Sequence, residues 1–304
     1  MKQRSTYLLL ALLLALTAIS YLLLRSPGER EASYSLADLK LSVDSSQVQS
    51  IRIVRPSSVL SLQDIGGTWF VVKDEPSSWR YPADENSMKQ LLGNVQNFKV
   101  KSLISSNPSK QNLFQVDSTG TQLVLTDRVG KKTEFVVGKM GPSFSETYVR
   151  PSNSNNVYLA EGISPWELNK ELRDWRDKTI LKLTPDSVRA ISYRYAKDLF
   201  SITRDSLWRI RKDTVVTSVI TGVLNSLTNL RADDFVDSTA KVSTPQLKLD
   251  IALPQPITLN FSPLPPDSSR YWVTTSAAPQ IFIMNKWSVQ NILKQRKDYL
   301  PSKK

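Results

Sequence analysis

Residues 147–178 read TYVRPSNSNNVYLAEGISPWELNKELRDWRDK, and residues 270–299 read RYWVTTSAAPQIFIMNKWSVQNILKQRKDY. The second stretch is a fainter copy of the first. Tyr148 answers to Tyr271, the triplet Val157-Tyr158-Leu159 to Ile281-Phe282-Ile283, and Trp166 to Trp287. In each copy an apolar strand gives way to a Trp at the start of a short helix, and basic residues close the segment. Ser164, Pro165 and Glu167 read as an N-cap, a proline at the first helical position and the far side of a capping box. Leu168, Leu172 and Trp175 are the expected apolar stripe of that helix.

The copying extends upstream. Ile51-Arg52-Ile53 alternates like a strand, as does Ile191-Ser192-Tyr193. Residues 59–65 and 68–73 flank Gly66-Gly67, a hairpin signal, and residues 199–203 and 207–211 flank Asp205-Ser206. Met88, Leu91, Leu92, Val95 and Phe98 fall on one helical stripe, repeated by Ile220, Val223, Leu224, Leu227 and Leu230. A meander of four short strands follows each stripe. The separation between matched residues shrinks along the copy, as it does when the second unit has shorter loops. The expected fold is α+β: two tandem repeats of antiparallel sheet with helices packed on one face, over residues 48–182 and 183–304.

Residues 7–24, YLLLALLLALTAISYLLL, carry no charge. As a helix they extend about 27 Å, enough for a bilayer's hydrocarbon core. Lys2 and Arg4 precede the run, which favours a cytoplasmic N-terminus. Leu22-Leu23-Leu24-Arg25 is a poor cleavage context, so the expectation is an uncleaved anchor over residues 1–25 and a stalk over 26–47. The protein is then a single-pass inner-membrane protein that touches lipid through its span, with its bulk extracytoplasmic.

The 304 residues include no Cys and no His. That excludes disulfides, thiolate nucleophiles and the commonest metal ligand. No cofactor, metal or catalytic residue is expected. Ser238-Thr239-Ala240-Lys241 fits a Ser-x-x-Lys pattern, but no Ser-Asp-Asn or Lys-Thr-Gly accompanies it. Asp84-Glu85 and Asp233-Asp234 read as helix-end charge. The formal net charge is +12, which favours anionic partners, yet no basic tract interleaved with aromatics points to nucleic acid. Trp69, Trp166, Trp175, Trp208 and Trp287 recur at matched or stripe positions, and a core role is expected of them. Arg173, Arg176 and Lys178 near the first closing helix are the candidate contacts for anionic lipid or a protein partner.

The apolar N-terminal run, the Trp-containing hairpin, Tyr81-Pro82-Ala83-Asp84 before a Leu-Leu helix, Val137-Gly138, Tyr148-Val149-Arg150, Val157-Tyr158 and Leu172-Arg173-Asp174 together resemble the family called domain of unknown function 4340. The resemblance covers residues 7–180 and, more loosely, the second copy. The chain departs from the pattern at Trp175 and at Asn112-Leu113-Phe114, where a Tyr-Gly-Leu is usual. Members of the family have no established catalytic residues, and some are encoded beside ABC-transporter components of the gliding-motility auxiliary type. The resemblance implies a non-enzymatic accessory role in the cell envelope, with an ABC transporter permease as partner. The alternatives are an extracytoplasmic binder of polysaccharide or peptide and a His-independent envelope enzyme.

Overall fold

The computed structural model describes residues 12–20, 43–73, 79–236, 245–267 and 269–301. Helix α1 covers 12–20, with Leu12, Leu13, Leu14, Leu16 and Ile19 exposed. No described helix is long and apolar enough to cross a membrane. Half of the expected span over residues 7–24, and most of the expected stalk, lie outside the described residues.

The chain divides into two compact units, residues 1–175 and 176–304. The first holds strands β1 (Val48–Arg55), β2 (Ser58–Ile65), β3 (Thr68–Lys73), β4 (Trp79–Pro82), β5 (Lys99–Ser105), β6 (Thr121–Asp127), β7 (Lys132–Met140), β8 (Glu146–Pro151) and β9 (Val157–Glu161). They form one sheet in the order β4-β3-β2-β1-β6-β7-β8-β9-β5, and the pairings are antiparallel. Gly66 and Gly67 turn the β2–β3 hairpin with φ of 65° and 85°, a conformation that favours glycine. Helix α2 (Glu85–Gln96) starts at Asp84, whose carboxylate accepts from Ser87 N at 2.9 Å. Its Met88, Leu91 and Val95 are buried against Ile51, Ile53, Leu62, Leu123 and Phe135 on one sheet face.

The second unit repeats this order. Its strands are β10 (Thr179–Lys182), β11 (Ala190–Arg194), β12 (Leu199–Arg204), β13 (Trp208–Ile210), β14 (Asp213–Thr214), β15 (Asn229–Arg231), β16 (Asp234–Phe235), β17 (Leu247–Ala252), β18 (Ile257–Pro263), β19 (Arg270–Thr275) and β20 (Ala278–Asn285). The large sheet runs β14-β13-β12-β11-β17-β18-β19-β20-β16, position for position the order of the first, and β10 pairs with β15 beside it. The sequence reading placed the junction after residue 182; residues 179–182 pair within the second unit.

Each unit ends in two short helices. In the first they are α3 (Pro165–Leu168) and α4 (Leu172–Trp175). In the second, α5 (Thr217–Thr228) is the counterpart of α2, and α6 (Lys286–Ile292) and α7 (Arg296–Tyr299) follow the last long strand. The duplication reaches single hydrogen bonds. Asp84 N–H, at the start of α2, donates to Trp175 O at 2.8 Å, and Val216 N–H, at the start of α5, donates to Tyr299 O at 2.8 Å. Trp175 and Tyr299 are both 0 % exposed, so each unit locks its long helix with a buried aromatic from its last short one.

Three expectations are corrected. Val149 pairs with Tyr158 and Val273 with Phe282, so the counterpart of Tyr148 is Trp272 rather than Tyr271. A one-residue slip along a strand changes the face. The closing helix of the first unit is two separate turns, and Leu172 is exposed instead of joining an apolar stripe. Glu167 does not close a capping box; its carboxylate turns inward to Asn94.

Candidate binding site

A four-residue helix has one buried side, and the residues that fill it leave the others in solvent. Ser164 caps α3, its hydroxyl accepting from Trp166 N, and Pro165 opens it. Glu167 and Leu168 then point inward at 4 % and 0 % exposure. Trp166 stands one step earlier, about 100° and 200° around the helix from these two, and is 75 % exposed. In the second unit Asn285 caps α6 by accepting from Ser288 N at 2.8 Å. Val289 and Ile292 face inward, and Trp287 is 72 % exposed. The expectation that Trp166 and Trp287 are core residues is therefore overturned. The equivalence between them holds; it is an equivalence of two surface positions, the buried aromatics being Trp175 and Tyr299.

Trp166 forms one wall of an open cleft of 280 Å³. Pro56 from the β1–β2 turn, Gln115 and Thr119 from a loop, and Gly138–Met140 from the end of β7 complete it. The loop follows a 3-10 helix (Pro108–Phe114) and is bent by Gln115, a left-handed residue with φ of 55°. It packs so closely that a Cβ on Gly138 would lie 2.1 Å from Phe114 O, and one on Gly120 would lie 2.4 Å from Gln115 O. Only glycine fits there.

Behind Trp166, Glu167 Oε2 accepts from Asn94 Nδ2 at 2.7 Å, tying α3 to α2. Glu167 Oε1 is buried without a protein partner. Burial pushes this carboxyl above its ordinary range, against the opposing effects of the Asn94 hydrogen bond and the Lys170 charge. A second cleft of 660 Å³ is lined by Arg52, Arg55, Trp79 and Glu171. There Arg55 Nη1 already donates to Asn169 O at 3.3 Å and Lys170 O at 3.0 Å, so its role is to hold the α3–α4 connection.

The basic residues singled out in the sequence take different positions. Arg173 is half exposed and lies 3.8 Å from Glu171. Arg176 is 7 % exposed, with its guanidinium 3.6 Å over the Phe235 ring. It begins the second unit's packing because the helix ends at Trp175. Lys178 is half-buried, and its carbonyl accepts from Ala232 N. Of the three candidate contacts, Arg173 is therefore at the surface, Lys178 is half-buried and Arg176 is buried.

The acidic pairs serve helix ends. Asp84 caps α2, and Asp233 Oδ2 accepts from both Asn285 N and Asn285 Nδ2 at the start of α6. Among the described residues no group of three or more carboxylates is gathered to hold a metal ion. Ser238-Thr239-Ala240-Lys241 lies outside the described residues. Sequence reasoning missed Gln115, Gly120 and Gly138. Only Val137-Gly138, followed at once by Lys139, hinted at a strand interrupted near its end.

A family model described as Domain of unknown function (DUF4340) matches residues 76–250, more than half of the chain. The match takes in Trp166 and the rest of its cleft except Pro56, and ends within β17. No curated protein and no solved structure matches the chain.

Proposed function

Since this chain belongs to the DUF4340 family, whose description assigns no activity, we propose from its own geometry that it is a non-enzymatic interaction protein of the cell envelope. It is anchored by residues 7–24 in the inner membrane, and its two units dock against a membrane partner. The observation that carries this reading is the pair Trp166 and Trp287, 75 % and 72 % exposed at equivalent positions of two units with the same topology. A fully solvated Trp contributes little to folding, whereas Trp is enriched at the energetic centre of protein interfaces. The chain carries it there twice. The uncharged run over residues 7–24 and the charge of +12 favour a location against anionic lipid. The family resemblance supplies the partner class, the permease of an ABC-type transporter.

The test is copurification of the full chain from membranes in a mild detergent. Permease and ATPase subunits should accompany the wild type. They should be depleted by the Trp166→Ala, Trp287→Ala double variant, whose near-ultraviolet circular dichroism keeps the buried-aromatic signal. Absence of any membrane protein above background, or undiminished capture by the double variant, contradicts the reading.

A second reading, an extracytoplasmic binder of polysaccharide or peptide, is favoured by one observation, the cleft beside Trp166. It differs from the first in needing no membrane partner.

A further inference from the structure

Beside Trp166, strand β7 of the first sheet runs on past the end of its pairing with β6, through buried Gly138 to exposed Lys139. Strands β6 and β7 pair from Thr126 opposite Lys132 to Thr121 opposite Val137, where the pairing ends. Strand β7 continues through Gly138, Lys139 and Met140. Before Thr121 the chain turns away, with Gly120 N–H donating back to Asp117 O. On the β8 side the register shifts between Val137 and Met140, a bulge of the kind that bends a strand and re-aims its edge. All three overrunning residues line the Trp166 cleft. Its walls are apolar at Trp166, Met140 and Pro165. Lys139 is exposed at its rim, and no carboxylate lines it.

The geometry points to an extended peptide segment of a partner protein as the ligand of this cleft. Resting on the interaction reading above, it identifies what Trp166 receives. The segment adds as a short strand along Gly138–Met140, sets an apolar or aromatic side chain on Trp166, and places an acidic side chain beside Lys139. Main-chain hydrogen bonds to an exposed strand edge supply affinity in this mode, and side-chain pockets supply selectivity. The second unit provides an internal contrast. Phe261 pairs with Leu247 and Val273 as Val137 pairs with Thr121 and Val149. Two residues further on, Pro263 stands where Lys139 stands, and proline has no N–H to offer. Trp287 therefore lacks the accompanying edge.

The test uses the full chain in detergent micelles as bait for a phage-displayed library of random decapeptides. Selected sequences are synthesised and titrated by fluorescence polarisation. The expected peptides are rich in aromatic or aliphatic residues alternating with Asp or Glu. Trp166→Ala should weaken them at least about tenfold. Lys139→Glu should weaken them several-fold, and Trp287→Ala should leave them within about twofold. Both tryptophans and Lys139 are exposed, so these variants fold. Bound peptide should also slow hydrogen exchange at the amides of residues 138–140. The proposal is overturned if no peptide binds below about 1 mM, if binding survives Trp166→Ala, or if exchange at residues 138–140 is unchanged. Chito-oligosaccharides that bind in a Trp166-dependent way in place of peptides would also overturn it. If copurification with a membrane partner still requires Trp166 while no peptide binds, this inference alone fails. Loss of both removes the interaction reading beneath it.

Discussion

Trp166→Ala and Trp175→Ala, nine positions apart, should have opposite consequences for the first unit. Trp175 is 0 % exposed and packs in the cluster that includes Leu91, Phe135 and Leu168. Its carbonyl holds Asp84 N–H at the start of α2, and Lys170 Nζ sits 5.2 Å from its ring centroid. Truncating a fully buried Trp removes its transfer free energy and leaves a cavity, which together cost about 3–5 kcal/mol. In a unit of this size each kcal/mol moves the midpoint by roughly 2–4 °C, so the first unit's transition should fall by about 6–20 °C. Trp166 is 75 % exposed, and a surface substitution of that kind changes stability by about 0.5 kcal/mol or less. Its midpoint should move by no more than about 2 °C. Differential scanning calorimetry of the full chain in detergent reads both. Comparable losses in the two variants would refute the assignment of Trp166 to the surface and, with it, the argument that this side chain is kept for binding.

Gly138→Ala should destabilise the first unit by about 1–3 kcal/mol, because the added Cβ would lie 2.1 Å from the Phe114 carbonyl; Gly93→Ala, which meets nothing within 4 Å, is the control in urea unfolding. Burial raises the Glu167 pKa, so the folded state holds this proton at a pH where the unfolded chain has released it. Stability should therefore fall as pH rises from about 4, the ordinary carboxylate range, toward the raised folded value. Glu167→Gln, which can still accept from Asn94, should lack this decline when midpoints are compared from pH 4 to 7; parallel curves would show that the carboxyl titrates normally. Tyr193 and Tyr299 hydroxyls lie 2.6 Å apart in the second unit's core, and Tyr193 OH also donates to Ile292 O. Tyr299→Phe should cost about 1–2 kcal/mol and leave the first unit's transition unmoved in calorimetry.

Elements whose pattern is local could be read from the sequence. Gly66-Gly67 between alternating runs, the Met88–Leu91–Val95 stripe and the Ser164-Pro165 helix start each encode a turn, a face or a cap within a few residues. The duplication was legible because the order of such elements repeats. What escaped depends on distant partners. Strand β5 is an edge strand that pairs with β9, more than fifty residues on, through two register shifts. The closeness of Gly120 and Gly138 to the 115 loop arises only when the sheet is assembled. Recurrence of Trp166 and Trp287 in the sequence points to the core, but duplication copies surfaces as faithfully as interiors. A helix of one turn has too few residues for periodicity to tell which face is inside. The site was thus half legible: its Trp was found, and its exposure, its cleft and the overrun of β7 past β6 were not.

The most direct test of the docking account is photo-crosslinking in intact cells with a benzophenone amino acid placed at position 166 or 287 of the full-length chain. The account predicts a discrete adduct with a membrane protein from each position, and none from position 129, where Val129 is 87 % exposed on an unrelated turn. Cells in which positions 166 and 287 give no adduct, or only the diffuse background seen from 129, would contradict it.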